Sequence, residues 1–359
     1  MDKLGNKINQ MSYFTKWFIL GSIVGVVAGI GAYVFFESIR FFEFLFLDFI
    51  LKTKIPTPIG EGDYLNFKPS NRFLFLPLIT AFAGLIVGWL VYTFAPEAEG
   101  HGTDAAIDAF HNKGGKVRGI VILIKTIASA ITIGSGGSAG REGPTAQISA
   151  GIGSLLADLL RLDVHDRRIM LAAGIGAGIG TIFKTPIAGA ILAAEIFYIR
   201  DFESEVIFPS LVASAIGYSI FGALVGFVPI FGYYTHSFNP ERLPLYITMG
   251  VFCGVMAKVY VNTFYGVHDI FKAFKIPKYI KPAIGMFLSG LISLVFPQAI
   301  GIGYGWAQSV ISLKFNVMPT YGLPLILIML LIPFVKIITT SLTVGSGGSG
   351  GVFAPGIVI

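Results

Sequence analysis

Apolar residues run unbroken for about the length of a bilayer crossing near residues 17–46, 73–94, 206–230, 244–265, 282–300 and 322–342. Segments such as "WFILGSIVGVVAGIGAYVFF" from Trp17, "FLFLPLITAFAGLIVGWLVYTF" from Phe73 and "LPLILIMLLIPFVKIITTSL" from Leu323 hold the roughly 20 residues a spanning helix needs. A spanning segment must satisfy its own backbone hydrogen bonds, and the alternation of outer-membrane strands is absent, so the pattern predicts helices. Between the long runs lie shorter apolar pieces at about 117–133, 143–160, 169–180 and 186–199, cut by glycine and proline. Their length predicts broken or half-spanning helices. Two polar stretches, "TKIPTPIGEGDYLNFKPSNR" and "GYYTHSFNPERLP", carry the Pro, Gly and Asn of connections outside the bilayer.

Composition agrees with an integral membrane protein. Of 359 residues 54% are hydrophobic and 13% charged, with a mean hydropathy of +0.76, whereas soluble domains hold about 25% charged residues. The net charge of +6 suits lysines and arginines anchored near lipid headgroups and argues against nucleic-acid binding at this hydropathy. The polar segment before Trp17 shows no small-residue cleavage site, so no removable signal peptide is expected. One cysteine, Cys253, allows no internal disulfide.

An internal repeat organises the chain. "GSGGSAGREGP" from Gly134 matches "GSGGSGGVFAP" from Gly345 at an offset of 211 (346 − 135), and "PEAEGHG" from Pro96 matches "PQAIGIG" from Pro297 at 201 (297 − 96). "LGSIVGVVAG" from Leu20 resembles "MGVFCGVMAK" from Met249, with Gly21 and Gly25 over Gly250 and Gly254 at 229 (250 − 21). The chain therefore reads as a polar segment 1–16, a first membrane repeat with its connecting loop 17–243, and a second repeat 244–359. Some fifty apolar residues follow the first glycine run and have no counterpart after the second, so the second repeat is expected to be incomplete at its C-terminal end.

Repeats in transporters are often inverted across the membrane and bring broken helices together near the midplane. Unwound glycine and serine backbone is tolerated at that depth only where it is buried in protein or lines an aqueous cavity. Glycines let backbone approach a ligand, hydroxyls offer O–H, and a helix starting at Glu142-Gly143-Pro144 aims free N–H groups at the site. Donors converge, so the ligand should be an anion. Stripping an ion of water costs on the order of tens of kcal/mol, and a helix end supplies at most about 2 kcal/mol. Several direct hydrogen bonds, each roughly 1.5–3 kcal/mol to a charged acceptor, and retained water must supply the rest, which leaves a site weak enough for conduction.

"GREGP" at Gly140, "GVFAP" at Gly351 and "GHG" at Gly100, with "VRGIVILIK" before the first glycine run and "FKTPIAGAILAAE" after it, resemble the pore motifs of the CLC family of chloride channels and proton/chloride exchangers. The resemblance implies an all-α membrane protein of two inverted-topology repeats built from broken and tilted helices. It also implies a homodimer with an anion path in each subunit, chloride as the transported ligand, and no cofactor or metal. By that similarity Glu142 is the gate, a carboxylate that competes with chloride and withdraws when protonated; the plain alternative is a charge stabilised at a helix N-terminus. The anion-binding set it implies is His101, Gly102, Gly140, Arg141, Gly143, Val352, Phe353 and Ala354, although the Arg141 guanidinium itself reads as structural, paired with a carboxylate or carbonyls. Phe353, at the 211 offset from Glu142, would face the gate, with packing in the core as its plain alternative.

Two positions depart from the family pattern. His101 stands where the family has serine, which makes its imidazole a candidate pH-sensitive ligand. Ile196 follows Glu195 where family exchangers often carry a second carboxylate, which leans toward a channel or a weakly coupled transporter. Lys125, inside "IVILIKTIASAITI", either raises the potential along the path, snorkels or forms a structural pair. His111, His165, His236 and His268 lack metal-ligand spacing. A stoichiometric antiporter is the alternative function. An intramembrane serine protease built on "GGSG" at Gly347 is a remote one, since no histidine follows Ser349 and the run is duplicated at Ser138.

Overall fold

The computed structural model describes residues 11–234 and 237–359; His236 and most of the polar segment before Trp17 lie outside the described residues. Helices α1 (Tyr13–Glu43), α2 (Leu76–Phe94), α3 (Thr103–Asn112), α4 (Gly119–Gly134) and α5 (Glu142–Leu159) make up the first half. The second half repeats their order as α9 (Leu243–Ala273), α10 (Lys281–Val295), α11 (Tyr304–Ile311), α12 (Leu325–Gly345) and α13 (Phe353–Val358). Between the halves stand α6 (Val164–Ile182), α7 (Pro186–Glu195) and α8 (Ser204–Val225). The all-helical architecture expected from hydropathy is the one observed, and each of the six long apolar runs is a helix of membrane-crossing length.

Helices α1 and α9 are both 31 residues long, and α1 continues through a π-helical run, Phe44–Ile50. Prolines fall where their missing N–H costs nothing, in the first turns of α2, α7, α9 and α10. Pro209 and Pro333 lie inside α8 and α12, a placement membrane helices tolerate. Three elements departed from the sequence reading. The window search passed over α3 and α11, which are short and partly polar, and it placed α6 at 169–180 where the helix runs Val164–Ile182. The glycines of "AAGIGAGIGTI" lower its apparent hydropathy and serve packing instead.

Small residues let the central helices touch. A Cβ added at Gly153 of α5 would lie 2.0 Å from Met170 O, and one at Gly174 of α6 would lie 2.1 Å from Ser149 O. Almost the whole length of α5 and α6 is buried as a result. On α1, Gly21, Gly25 and Gly29 form a four-residue-spaced face against Pro209, Ala213 and Gly217 of α8. The matching glycines of the second half, Gly250 and Gly254 on α9, meet no atom within 4 Å.

That contrast makes a paired prediction. A Cβ at Gly25 would lie 2.5 Å from Ala213 O, so Gly25→Val should cost about 1–3 kcal/mol by overpacking and lower the thermal aggregation midpoint in detergent. Gly250→Val should leave that midpoint within error of the parent protein.

Candidate functional site

Four irregular turns meet at the centre, and each ends in a helix start. The turn before α3 places Gly100 and Gly102 at φ +71° and +89°, and its mate before α11 places Gly301 and Gly303 at +57° and +93°. The glycine runs before α5 and α13 place Gly136 and Gly347 at +101° and +102°. Positive φ at these mates explains the glycines, since other residues are strained there. The two runs then join by a reciprocal backbone pair: Gly140 N–H donates to Gly351 O at 2.7 Å and Gly351 N–H to Gly140 O at 2.6 Å. Each partner is the repeat counterpart of the other, so this exchange is the local two-fold relation of the two halves.

The side chains keep the same symmetry. Ser129 and Ser349 share a hydrogen bond of 2.9 Å, and their counterparts Thr340 and Ser138 share one of 2.8 Å. Lys125 is fully buried, and its Nζ donates to Ala98 O at 3.0 Å and Gly100 O at 2.7 Å. Lys336, also fully buried, donates to Ala299 O at 3.0 Å and Gly301 O at 2.7 Å. Lys125 neither snorkels nor pairs with a carboxylate in these bonds; it staples the turn that starts α3. Lys336 was missed in the sequence, although the 211 offset from Lys125 identifies it.

Glu142, the expected gate, lies beside the glycine bridge. Glu142 is 1% exposed at the first position of α5. Its Oε1 accepts a hydrogen bond of 2.5 Å from the Tyr304 hydroxyl, while its buried Oε2 has no hydrogen-bond partner among the described residues. A Cβ added at Gly140 would lie 2.6 Å from that Oε2 and 3.0 Å from Ala354 N, so both atoms border a face that only glycine leaves open. Gly143 backs onto His101 O and Gly351, where an added Cβ would lie at 2.4 Å and 3.4 Å. The first intrahelical acceptor of α13 is Val352 O, bonded to Gly356 N, which leaves the N–H groups of Phe353 and Ala354 outside the helix ladder. Tyr260 Oη donates to Val352 O at 3.3 Å. The Phe353 ring is 40% exposed, so it is not a core side chain.

Other expected residues stand further from Glu142 Oε2. The Arg141 guanidinium forms a two-pronged pair with Glu61, Nη1 to Oε2 at 3.0 Å and Nη2 to Oε1, and lies over the Phe36 and Tyr304 rings. That is the structural reading of its side chain. Glu61 comes from the polar loop between α1 and α2, eighty positions away, and carries no local signal in the sequence. The His101 imidazole pairs with Asp104 through Nε2 at 3.1 Å. Asp104 lies outside the long spans, and that hydrogen bond holds its carboxyl below the ordinary range against partial burial; the bond therefore persists at neutral pH and weakens only below that range. Gly102 packs on Gln147, whose Nε2 donates to Glu97 O at 2.6 Å. Glu195 and Ile196 stand at the C-terminal end of α7, Glu195 exposed and Ile196 half-buried. His165 lies beside Asp163 and Asp166, but Asp163 caps α6, Asp166 pairs with Lys16, and His165 pairs with Glu205 at 3.0 Å.

Half-helices from two inverted repeats, aimed at a buried glycine bridge with one carboxylate between them, define a membrane protein that transports anions. The sequence model described as "Voltage gated chloride channel" matches residues 83–359, and the chain belongs to that family. It is 30% identical over 355 residues to an uncharacterized protein of Methanocaldococcus jannaschii, covering 99% of this chain and 79% of that one. It is 28% identical over 351 residues to the H(+)/Cl(-) exchange transporter ClcA of Salmonella arizonae, covering 94% and 68%. Among solved structures, a CLC-type fluoride/proton antiporter aligns with a TM-score of 0.73 at 23% identity over 97% of this chain and 80% of that one. A slow cyanobacterial Cl-/H+ antiporter aligns at 0.72 and 24% identity, over 96% and 76%.

The matched lysines yield an unequal prediction. Among the described residues Lys336→Met leaves the buried carbonyls of Ala299 and Gly301 without a donor, at a cost of roughly 2 kcal/mol or more, whereas after Lys125→Met Ala98 O keeps Ser349 Oγ and Gly100 O keeps Gly350 N–H. Lys336→Met should therefore lower the thermal aggregation midpoint in detergent more than Lys125→Met, and equal losses would show that the second donors at Ala98 and Gly100 carry no weight.

Proposed function

We propose that the protein carries chloride, or a similar small anion, across a membrane through a path in each subunit, and that the Glu142 carboxylate gates that path. The observation that carries this reading is the pairing of a buried carboxylate oxygen without a partner, Glu142 Oε2, with the helix-start N–H groups that border Gly140. A carboxylate is an anion of the right size to occupy a chloride site, and protonation removes its claim on those donors. The sites proposed for the anion are the main chain at Gly140, Arg141, Gly143, Val352, Phe353 and Ala354, with His101 and Gly102 at the start of α3. No cofactor is required for such passage.

Proton coupling is the open division within this function. The exchanger of Salmonella arizonae and the two antiporter structures support proton exchange as a property of relatives. Ile196, following Glu195, supports uncoupled conduction in this chain. The protease alternative is disfavoured because Ser349 Oγ sits between Ser129 Oγ and Ala98 O, each at 2.9 Å, rather than beside a base. We also infer a homodimer, from the family resemblance, in the plasma membrane of a prokaryote, as the archaeal and Salmonella relatives suggest.

The test is chloride efflux from liposomes under a potassium-ionophore voltage clamp, with external pH recorded. Proton movement in fixed ratio to chloride establishes an exchanger, and chloride flux without proton movement establishes a conductor. In the same assay Glu142→Gln should give flux that no longer responds to pH, and a pH response equal to the parent's would remove Glu142 from the gate.

A further inference from the structure

Tyr304 was no part of the expected site, yet among the described residues it is the side chain that donates a hydrogen bond to the Glu142 carboxylate. The residue is 2% exposed, begins α11 directly after the left-handed Gly303, and its hydroxyl lies 2.5 Å from Glu142 Oε1. That distance is in the range of a charge-assisted O–H···O bond. The ring is fixed from three sides: Phe231 meets it edge-on at 5.4 Å, the Arg141 guanidinium lies 5.6 Å above it, and the turn that carries it is stapled by Lys336 through Gly301 O. A rigid backbone anchor and a packed ring leave the hydroxyl with little freedom to follow Glu142 if that side chain moves.

The repeat shows that this contact is not scaffold. Under the offsets of 211 and 201, Glu142 corresponds to Phe353 and Tyr304 to Thr103 (304 − 201). The backbone bridge, the two hydroxyl pairs and the two lysine staples all recur in both halves. The carboxylate and phenol occur in one half only, so packing symmetry does not account for them.

We propose that Tyr304 is the latch of the gate: its hydroxyl holds the ionised Glu142 carboxylate in the docked position and loses that hold when the carboxyl is protonated. The proposal rests on the gating role of Glu142. Other charged groups also face this carboxylate. Arg141 Nε lies 4.0 Å from Oε1 and is itself bound to Glu61. Lys184, on the turn before α7, donates to Gly60 O and Val228 O. His101 and Asp104 stand on the α3 side, and Arg40 and Glu43 line the cavity on the far side of Arg141. None of these donates to Glu142 Oε1. A phenol favours the ionised form it is bonded to, so Tyr304 acts as a positioning residue that sets the pH at which the gate lets go.

The experiment compares the pH dependence of chloride efflux from liposomes for the parent, Tyr304→Phe, Glu142→Gln and the double variant. Tyr304→Phe keeps the ring and its contacts and removes only the donor. The pH of half-maximal flux should move upward by about one unit, and the double variant should match Glu142→Gln alone, flat with pH. An unmoved midpoint in Tyr304→Phe, with Glu142→Gln flat, overturns the latch and leaves the gate. A persistent pH response in Glu142→Gln overturns the gate, and the latch with it. If Tyr304→Phe is not recovered as a monodisperse protein, Tyr304→Met carries the same comparison, with the same upward shift expected.

Discussion

A peptide group at the depth of the lipid chains has no water to bond to, and leaving it unpaired costs several kcal/mol. The centre of this molecule is built around that constraint. Opening helices there frees N–H groups for an anion and frees carbonyls that no anion will satisfy. The carbonyls of Ala98, Gly100, Ala299 and Gly301 take their donors from Lys125 and Lys336, while Gly140 and Gly351 satisfy one another. The acceptors are consumed by the protein itself. Donors at the starts of α5 and α13 remain, and that imbalance gives the site its sign.

Symmetry supplies the scaffold and its breaking supplies the chemistry. The glycine bridge, the lysine staples and the hydroxyl pairs of 2.9 and 2.8 Å each have a partner in the other half. The buried carboxylate and the residues about it do not: Glu142 stands against Phe353, Tyr304 against Thr103, and Arg141 against Val352. A duplicated frame thus carries a buried carboxylate in one half and an aromatic ring at the matching place in the other.

Much of this was legible in the sequence, for identifiable reasons. Membrane helices declare themselves by uninterrupted apolar length, and the glycine runs by repetition at a fixed offset, because positive φ at Gly136 and Gly347 admits few other residues. What stayed hidden was short or distant. Helices α3 and α11 are too brief and polar for a hydropathy window. Glu61 reaches Arg141 from a loop whose composition announces only a surface connection, and Tyr304 is one aromatic among many until its hydroxyl is placed. His101 fits a ligand role by position, and its imidazole also has a carboxylate partner in Asp104 that the sequence did not single out.

The lysine staples also bear on how such a molecule can respond to an electric field. A membrane potential does work only on charge that travels through it. Lys125 and Lys336 are bound to main-chain oxygens, and Arg141 is bound to Glu61, so the buried cations are fixtures of the frame. Glu142 is held, among the described residues, by one side-chain hydrogen bond, from Tyr304. A field therefore finds no travelling charge in these three cations, and any voltage dependence must draw on other charge in the molecule or on the ion it carries.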